Sequence, residues 1–120
     1  MNALKTLYEK IDGWLVLRIG IAYVLFWFGI NQLIAPERWV YFLPETLRAL
    51  FPVSPEVLVL INGGVEVVFG CLILFGIWLR VSALLMGLHL LAIAISLGNS
   101  PSGARDFGLA LATLALVFKR

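Results

Sequence analysis

Four apolar runs, separated by short polar breaks, organise this chain. The first extends from about Gly13 to Ile34 and the second from about Val57 to Leu79, where Arg80 marks a tight break. The third covers Val81 to Leu97 and stops at Gly98-Asn99-Ser100-Pro101, a cluster of turn formers. The fourth runs from about Gly103 to Phe118. At 1.5 Å per residue, about 20 residues cross a hydrocarbon core about 30 Å thick. The first three runs match that length, and the fourth, at about 16 residues, reaches only about 24 Å. That shortness puts Arg105 and Asp106 near the bilayer edge, with Ser102 as the expected N-cap and Asp106 in the first turn. The pattern predicts an all-α integral membrane four-helix bundle, one domain over residues 1–120.

The connection from Ala35 to Glu56 carries Pro36, Pro44, Pro52 and Pro55, so no long helix fits there. Its mixed apolar and basic stretches, Arg38 to Leu43 and Thr46 to Phe51, predict one or two short interfacial helices between spans one and two.

Composition agrees with the pattern. Residues of the AVILMFWYC set make up 62% of the chain and charged residues 13%, with a mean hydropathy of +1.01, far above the usual soluble domain. The lipid bilayer is therefore the first partner. A net charge of +2, scattered along the chain, gives no phosphate-binding surface, so nucleic acid is excluded. The single cysteine, Cys71, leaves no disulfide, dithiol or thiolate metal cage, and no metal site is expected. The first run is longer than the ~7–15 residues of a signal h-region and lacks a small-x-small cleavage site, so it reads as a retained span. With four spans, Lys5, Lys10, Arg80, Lys119 and Arg120 share one side against Arg38, Arg48 and Arg105 on the other. This basic bias predicts a multi-pass protein with both termini in the cytoplasm.

Polar residues inside spans are costly and normally face the bundle interior, which makes their placement informative. At 100° per residue, Arg18, Ala22, Leu25, Gly29 and Gln32 share one face of span one, and Asn62, Glu66, Phe69, Gly70, Ile73 and Ile77 share one face of span two. Span three aligns Ser82, Leu85, Met86, His89, Ile93 and Ser96, and span four aligns Asp106, Ala110, Thr113 and Val117. Most of the small and hydroxyl residues on these faces read as helix-helix contacts, including Gly29, Gly63, Gly64 and Gly70. Glu66 stands apart, roughly 13–20 Å deep at 1.5 Å per residue. Ionised, it needs a cationic or multi-donor partner, and without one it takes up a proton. Depth counting places Arg18 and His89 together in the half nearest the termini, and Asn31, Gln32, Asn62, Arg105 and Asp106 in the other half. Glu66, Arg18, His89, Asn62, Gln32 and Asp106 are the candidate ligand-binding or proton-handling residues. No catalytic residue is identified.

The runs Leu17-Arg18-Ile19-Gly20, Phe28-Gly29-Ile30, Val65-Glu66 leading to Phe69-Gly70, and Gly76-Ile77-Trp78-Leu79-Arg80-Val81-Ser82 resemble the DoxX family, small four-span bacterial and archaeal membrane proteins. Arg18, Glu66 and Arg80 occupy matching positions, whereas Asn31-Gln32 stands where the family often has a lysine. The resemblance implies a cytoplasmic (inner) membrane location and an association with redox chemistry, since a related protein is a subunit of a thiosulfate:quinone oxidoreductase.

Three functions fit these residues. One is a redox-complex subunit that works with partner subunits and binds a quinone between aromatic side chains such as Phe26 and Phe69. Another is a small dimeric proton-coupled transporter, and the third is a non-catalytic anchor or scaffold. The sequence leaves open whether the protein is an enzyme. The topology is testable with tags on both termini in sealed vesicles. Protection of both tags from protease added at the periplasmic face is expected, and cleavage of both would contradict the cytoplasmic placement.

Overall fold

The computed structural model describes residues 2–119, and among them every regular element is helical. The order is α1 (Asn2–Lys10), α2 (Gly13–Ile34), two single-turn 3-10 segments (Pro36–Arg38 and Val40–Phe42), α3 (Glu45–Leu50), α4 (Pro55–Phe75), α5 (Leu79–Leu97), α6 (Pro101–Ala115) and a closing 3-10 turn (Leu116–Phe118). Helices α2, α4 and α5 are long and apolar enough to cross a membrane. Helix α6, with 15 residues, is not among them. Arg120, part of the basic bias, lies outside the described residues.

Local chemistry sets the boundaries. The Asp12 side chain accepts from the Trp14 N–H at the start of α2. Ser54 caps α4 with Pro55 in its first turn, where the missing N–H costs nothing. Ser100 caps α6, its Oγ accepting from Gly103 N–H at 3.0 Å, with Pro101 following. This corrects the expected cap at Ser102. The helix starts earlier, and Asp106 falls beyond the first turn.

The second break also falls earlier than expected. Helix α4 ends at Phe75, Gly76 adopts φ +70°, and the Ile77 and Gly76 N–H groups return to the Leu72 and Ile73 carbonyls. That is a Schellman ending, which needs a left-handed residue and is easiest for glycine. Trp78 is left-handed as well, with φ +46°. Arg80 thus lies within the first turn of α5 and donates from Nη2 to the Lys119 carbonyl at 3.0 Å. The apolar Ile77-Trp78-Leu79 sequence conceals the turn from a hydropathy reading. That bond also puts the C-terminal end of the described chain beside the start of α5, at the same end of the bundle as the start of α2.

The helices pack as two pairs, α2 with α4 and α5 with α6, with sparse contact between them. In the first pair a Cβ on Gly29 would sit 2.8 Å from the Gly63 carbonyl oxygen, and one on Gly63 would sit 2.8 Å from the Gly29 oxygen. The two backbones therefore touch, as small residues permit in membrane bundles. Gly70 meets Phe26, as a contact glycine should, but Gly64 has nothing within 4 Å and is not a contact residue. In the second pair Gly87 receives Leu114. Helix α5 buries Ser82, Ala83, Met86, Gly87, Leu90 and Ala94 while Leu85 and Ser96 are exposed, so its inner face keeps Ser82, Met86 and His89 of the expected stripe and widens toward small residues that admit α6. The apolar core, with Ile21, Leu25, Ile73, Ala83, Met86, Ala110 and Leu116, fills the half nearest the termini.

Helix α1 was not anticipated. Leu4, Leu7, Tyr8 and Ile11 recur at helical spacing on one side of Lys5, Glu9 and Lys10, and no residue of the helix is buried. The signal was present, hidden by the brevity of the segment.

The glycine contact is testable by thermal unfolding in detergent. Gly63→Ala should destabilise by about 1–3 kcal/mol because a backbone cannot yield as a side chain does. Gly64→Ala should be neutral or slightly stabilising through helix propensity. Equal melting of the two variants would contradict the close approach of α2 and α4.

Candidate functional site

Glu66, near the middle of α4, is 5% exposed and is held by amides. The Asn62 Nδ2 group, one turn earlier on the same face, donates to Glu66 Oε1 at 2.9 Å and to Gln32 Oε1 at 2.8 Å. Gln32 of α2 makes a longer contact from Nε2 to Glu66 Oε2, 3.5 Å. His89 of α5 lies 2.7 Å from Asn62 Oδ1 through Nε2. An amide oxygen only accepts, so the histidine donates from Nε2–H. Asn62 is therefore the hub, with both amide hydrogens and its oxygen engaged. Its bond to His89 ties the first helix pair to the second.

The sequence places Glu66, Asn62, Gln32 and His89 among its candidates, and the structure brings these four together. The expected grouping of Arg18 with His89 is corrected. Arg18 donates from Nε to the Ile73 carbonyl at 3.0 Å and from Nη2 to the Leu74 carbonyl at 2.7 Å. It satisfies the open carbonyls at the end of α4, beside Gly76. Depth counting failed because α4 stops before its apolar run does, which supplies a nearer partner for Arg18. Among the described residues no cation hydrogen-bonds to Glu66, and the one ion pair is Arg105 Nε with Asp106 Oδ1 at 3.1 Å.

Above this polar floor the two pairs enclose a cavity of about 700 Å³. Asn62 and Glu66 face it from α4, His89 and Ile93 from α5, and Arg105 and Asp106 from α6. The segment between α2 and α4 folds over it and contributes Trp39, Phe42 and Leu47. Trp27, Phe28, Trp39 and Phe42 pack mainly edge to face, with centroids 4.9 to 6.4 Å apart. The Arg105 guanidinium stacks on Phe28, 4.6 Å from the ring centroid, and bridges α6 to α2. The wall residues Trp27, Phe28, Trp39 and Phe42 were missed as site residues because their meeting depends on how the proline-rich segment folds back. Phe26 and Phe69, expected to line a ligand slot, are not cavity residues, since Phe26 packs on Gly70 and Phe69 on the apolar core. Asn31 turns to its own helix, donating to the Trp27 carbonyl.

The arrangement offers an apolar body site with aromatic walls, a hydrogen-bonding floor and one charged wall, the composition of a small-molecule site. Among the described residues no group of three or more His, Cys, Asp or Glu side chains is gathered to hold a metal.

A family model described as DoxX matches residues 13–99. No curated protein and no solved structure matches the chain.

The hub position of Asn62 generates a ranking. Asn62→Leu strands polar groups of Gln32, Glu66 and His89, and should cost about 2–4 kcal/mol at roughly 1 kcal/mol per lost bond plus burial of the orphans. Glu66→Gln keeps the shape and breaks no direct ion pair, so it should cost less, about 1 kcal/mol. Unfolding in detergent checks the order. A loss of 3–5 kcal/mol for Glu66→Gln, the signature of a broken buried ion pair, would contradict the amide-only shell.

Proposed function

The chain belongs to the DoxX family, and from that premise we propose that this multi-pass membrane protein is a redox-associated subunit that holds a quinone-type ligand in the cavity above Glu66. The observation that carries the reading is the cavity itself. About 700 Å³ falls in the range of roughly 300–1,000 Å³ typical of sites for drug-sized molecules, and its few polar groups converge at one end. An aromatic, lipid-soluble ring fits between Trp27, Phe28, Trp39 and Phe42, with its oxygen toward the floor.

In this reading Glu66, Asn62, Gln32 and His89 bind the ligand head, Asp106 orients Arg105 at the wall, and Arg18 serves the end of α4. Helix α6 and its closing turn, about 27 Å from Pro101 to Phe118 at 1.5 Å per residue, form a fourth span. Helix α3 and the two 3-10 segments after α2 lie at the outer membrane face, and both termini lie in the cytoplasm. The chain sits in a bacterial or archaeal cytoplasmic membrane, a single four-span domain. Partner subunits supply the electron transfer, because one cysteine and one histidine carry no two-electron chemistry by themselves.

Protein purified gently in detergent should retain a quinone or its hydroquinone, and added decyl benzoquinone, or its reduced form, should raise its melting temperature in a saturable way. Ile93→Phe, which fills the cavity without removing a polar group, should abolish that shift. A chain that retains neither member of a quinone couple and is stabilised by neither decyl benzoquinone nor its hydroquinone would overturn the reading. A pH-dependent drug flux in proteoliposomes would then favour a transporter, and its absence a scaffold.

A further inference from the structure

We infer that the floor of the cavity selects a ligand head that donates hydrogen bonds, a phenolic or hydroquinone hydroxyl, over a head that only accepts them. This rests on the reading of the cavity as a ligand site and specifies its chemistry.

The inference follows from counting donors and acceptors. Both Asn62 amide hydrogens are committed, to Gln32 Oε1 and Glu66 Oε1. The His89 Nε2–H is committed to Asn62 Oδ1. One Gln32 amide hydrogen points at Glu66 Oε2, which leaves a single uncommitted N–H on the floor. Acceptors are in surplus. Each Glu66 oxygen receives one amide and keeps a further lone-pair site, but a protonated carboxyl would also donate, so the selection is assigned to His89 and not to Glu66. His89 lines the cavity, and its Nδ1 makes no hydrogen bond among the described residues. With Nε2 carrying the proton, Nδ1 of the neutral ring is a bare lone pair. A charged ring would stand among Leu90 and Ile93 with no acid bonded to it, Glu66 lying beyond Asn62 and Asp106 being engaged by Arg105. The Arg105 guanidinium donates from Nε to Asp106 and stacks on Phe28, so its four remaining N–H groups belong to the wall and not to the floor.

A quinone carbonyl brought against His89 meets the Nδ1 lone pair, whereas a hydroxyl satisfies it. Sites built to bond a hydroxyl reject analogues that lack it, because the buried acceptor is then left unpaired. His89 is thus the specificity-determining residue, and of a quinone couple the reduced member is the one favoured.

The test uses the full chain in detergent with 4-decylphenol and its methyl ether, a pair that differs in one donor and is redox-silent. The phenol should bind about tenfold tighter or more, as one hydrogen bond allows, with affinities read from thermal stabilisation and lost in Ile93→Phe. His89→Gln keeps a donor for Asn62 but removes the Nδ1 acceptor, and should bring the two affinities together. His89→Asn places an oxygen near the Nδ1 position and should keep much of the preference. Melting without ligand confirms that both variants fold. Equal binding of phenol and ether to the wild type, both blocked by Ile93→Phe, would overturn the donor selection while leaving the cavity as a ligand site. A preference that survives His89→Gln would remove His89 from the selection. Binding of neither compound, nor of decyl benzoquinone, would overturn both the selection and the site.

Discussion

A carboxyl group in the middle of a membrane helix must find its hydrogen-bond partners within the protein, because lipid has none to give. Glu66 meets this constraint with two amide side chains, Asn62 from its own helix and Gln32 from α2. Gln32 reaches α4 across a backbone contact between the two helices. That contact is made at Gly29 and Gly63, each of which faces the other's carbonyl oxygen. The acid, the amides and the glycine pair thus form one unit, and losing any member exposes the others to an apolar medium. The same unit ties the two helix pairs together through the bond from His89 to Asn62.

The two ends of the bundle have divided roles. Near the termini the apolar core is closed, Arg18 covers the carbonyls that end α4, and Arg80 reaches the Lys119 carbonyl. A guanidinium suits the first task, having several donors in a fixed fork and no acceptor to bury. Toward the other end the pairs enclose the cavity, and polar and aromatic side chains replace the core. Apolar packing therefore concentrates near the termini, and polar and aromatic side chains border the cavity toward the other end.

Much of this was legible in the sequence, though unevenly. The bounds of α2 and the stripe Ala22, Leu25, Gly29, Gln32 emerge from periodicity alone, because a buried helix face in lipid is marked by small and polar residues. Glu66, Asn62, Gln32 and His89 were identifiable as polar groups that need partners. The pairing of Asn62 with Glu66 was legible too, one turn apart on the same face. The link from His89 to Asn62 and the Arg18 contact were not, since depth counts relied on an α4 that continued to Leu79, while the chain turns at Gly76 within an apolar run. The width of the inner face of α5 was also hidden, because Ala83, Gly87 and Ala94 look like ordinary apolar residues until α6 packs on them. The cavity was beyond sequence reading, as its roof depends on where a proline-rich segment folds.

The central claim is that Gln32, Asn62 and Glu66 act as one hydrogen-bonded unit across the contact of α2 with α4. A double-mutant cycle with Gln32→Ala, Asn62→Ala and the double variant, measured by unfolding in detergent, tests it most directly. The account predicts that the double variant costs less than the sum of the singles by about 0.5–2 kcal/mol, the coupling expected of bonded neighbours in a membrane bundle. Costs that add within about 0.3 kcal/mol would mean that the two amides act independently, and would contradict it.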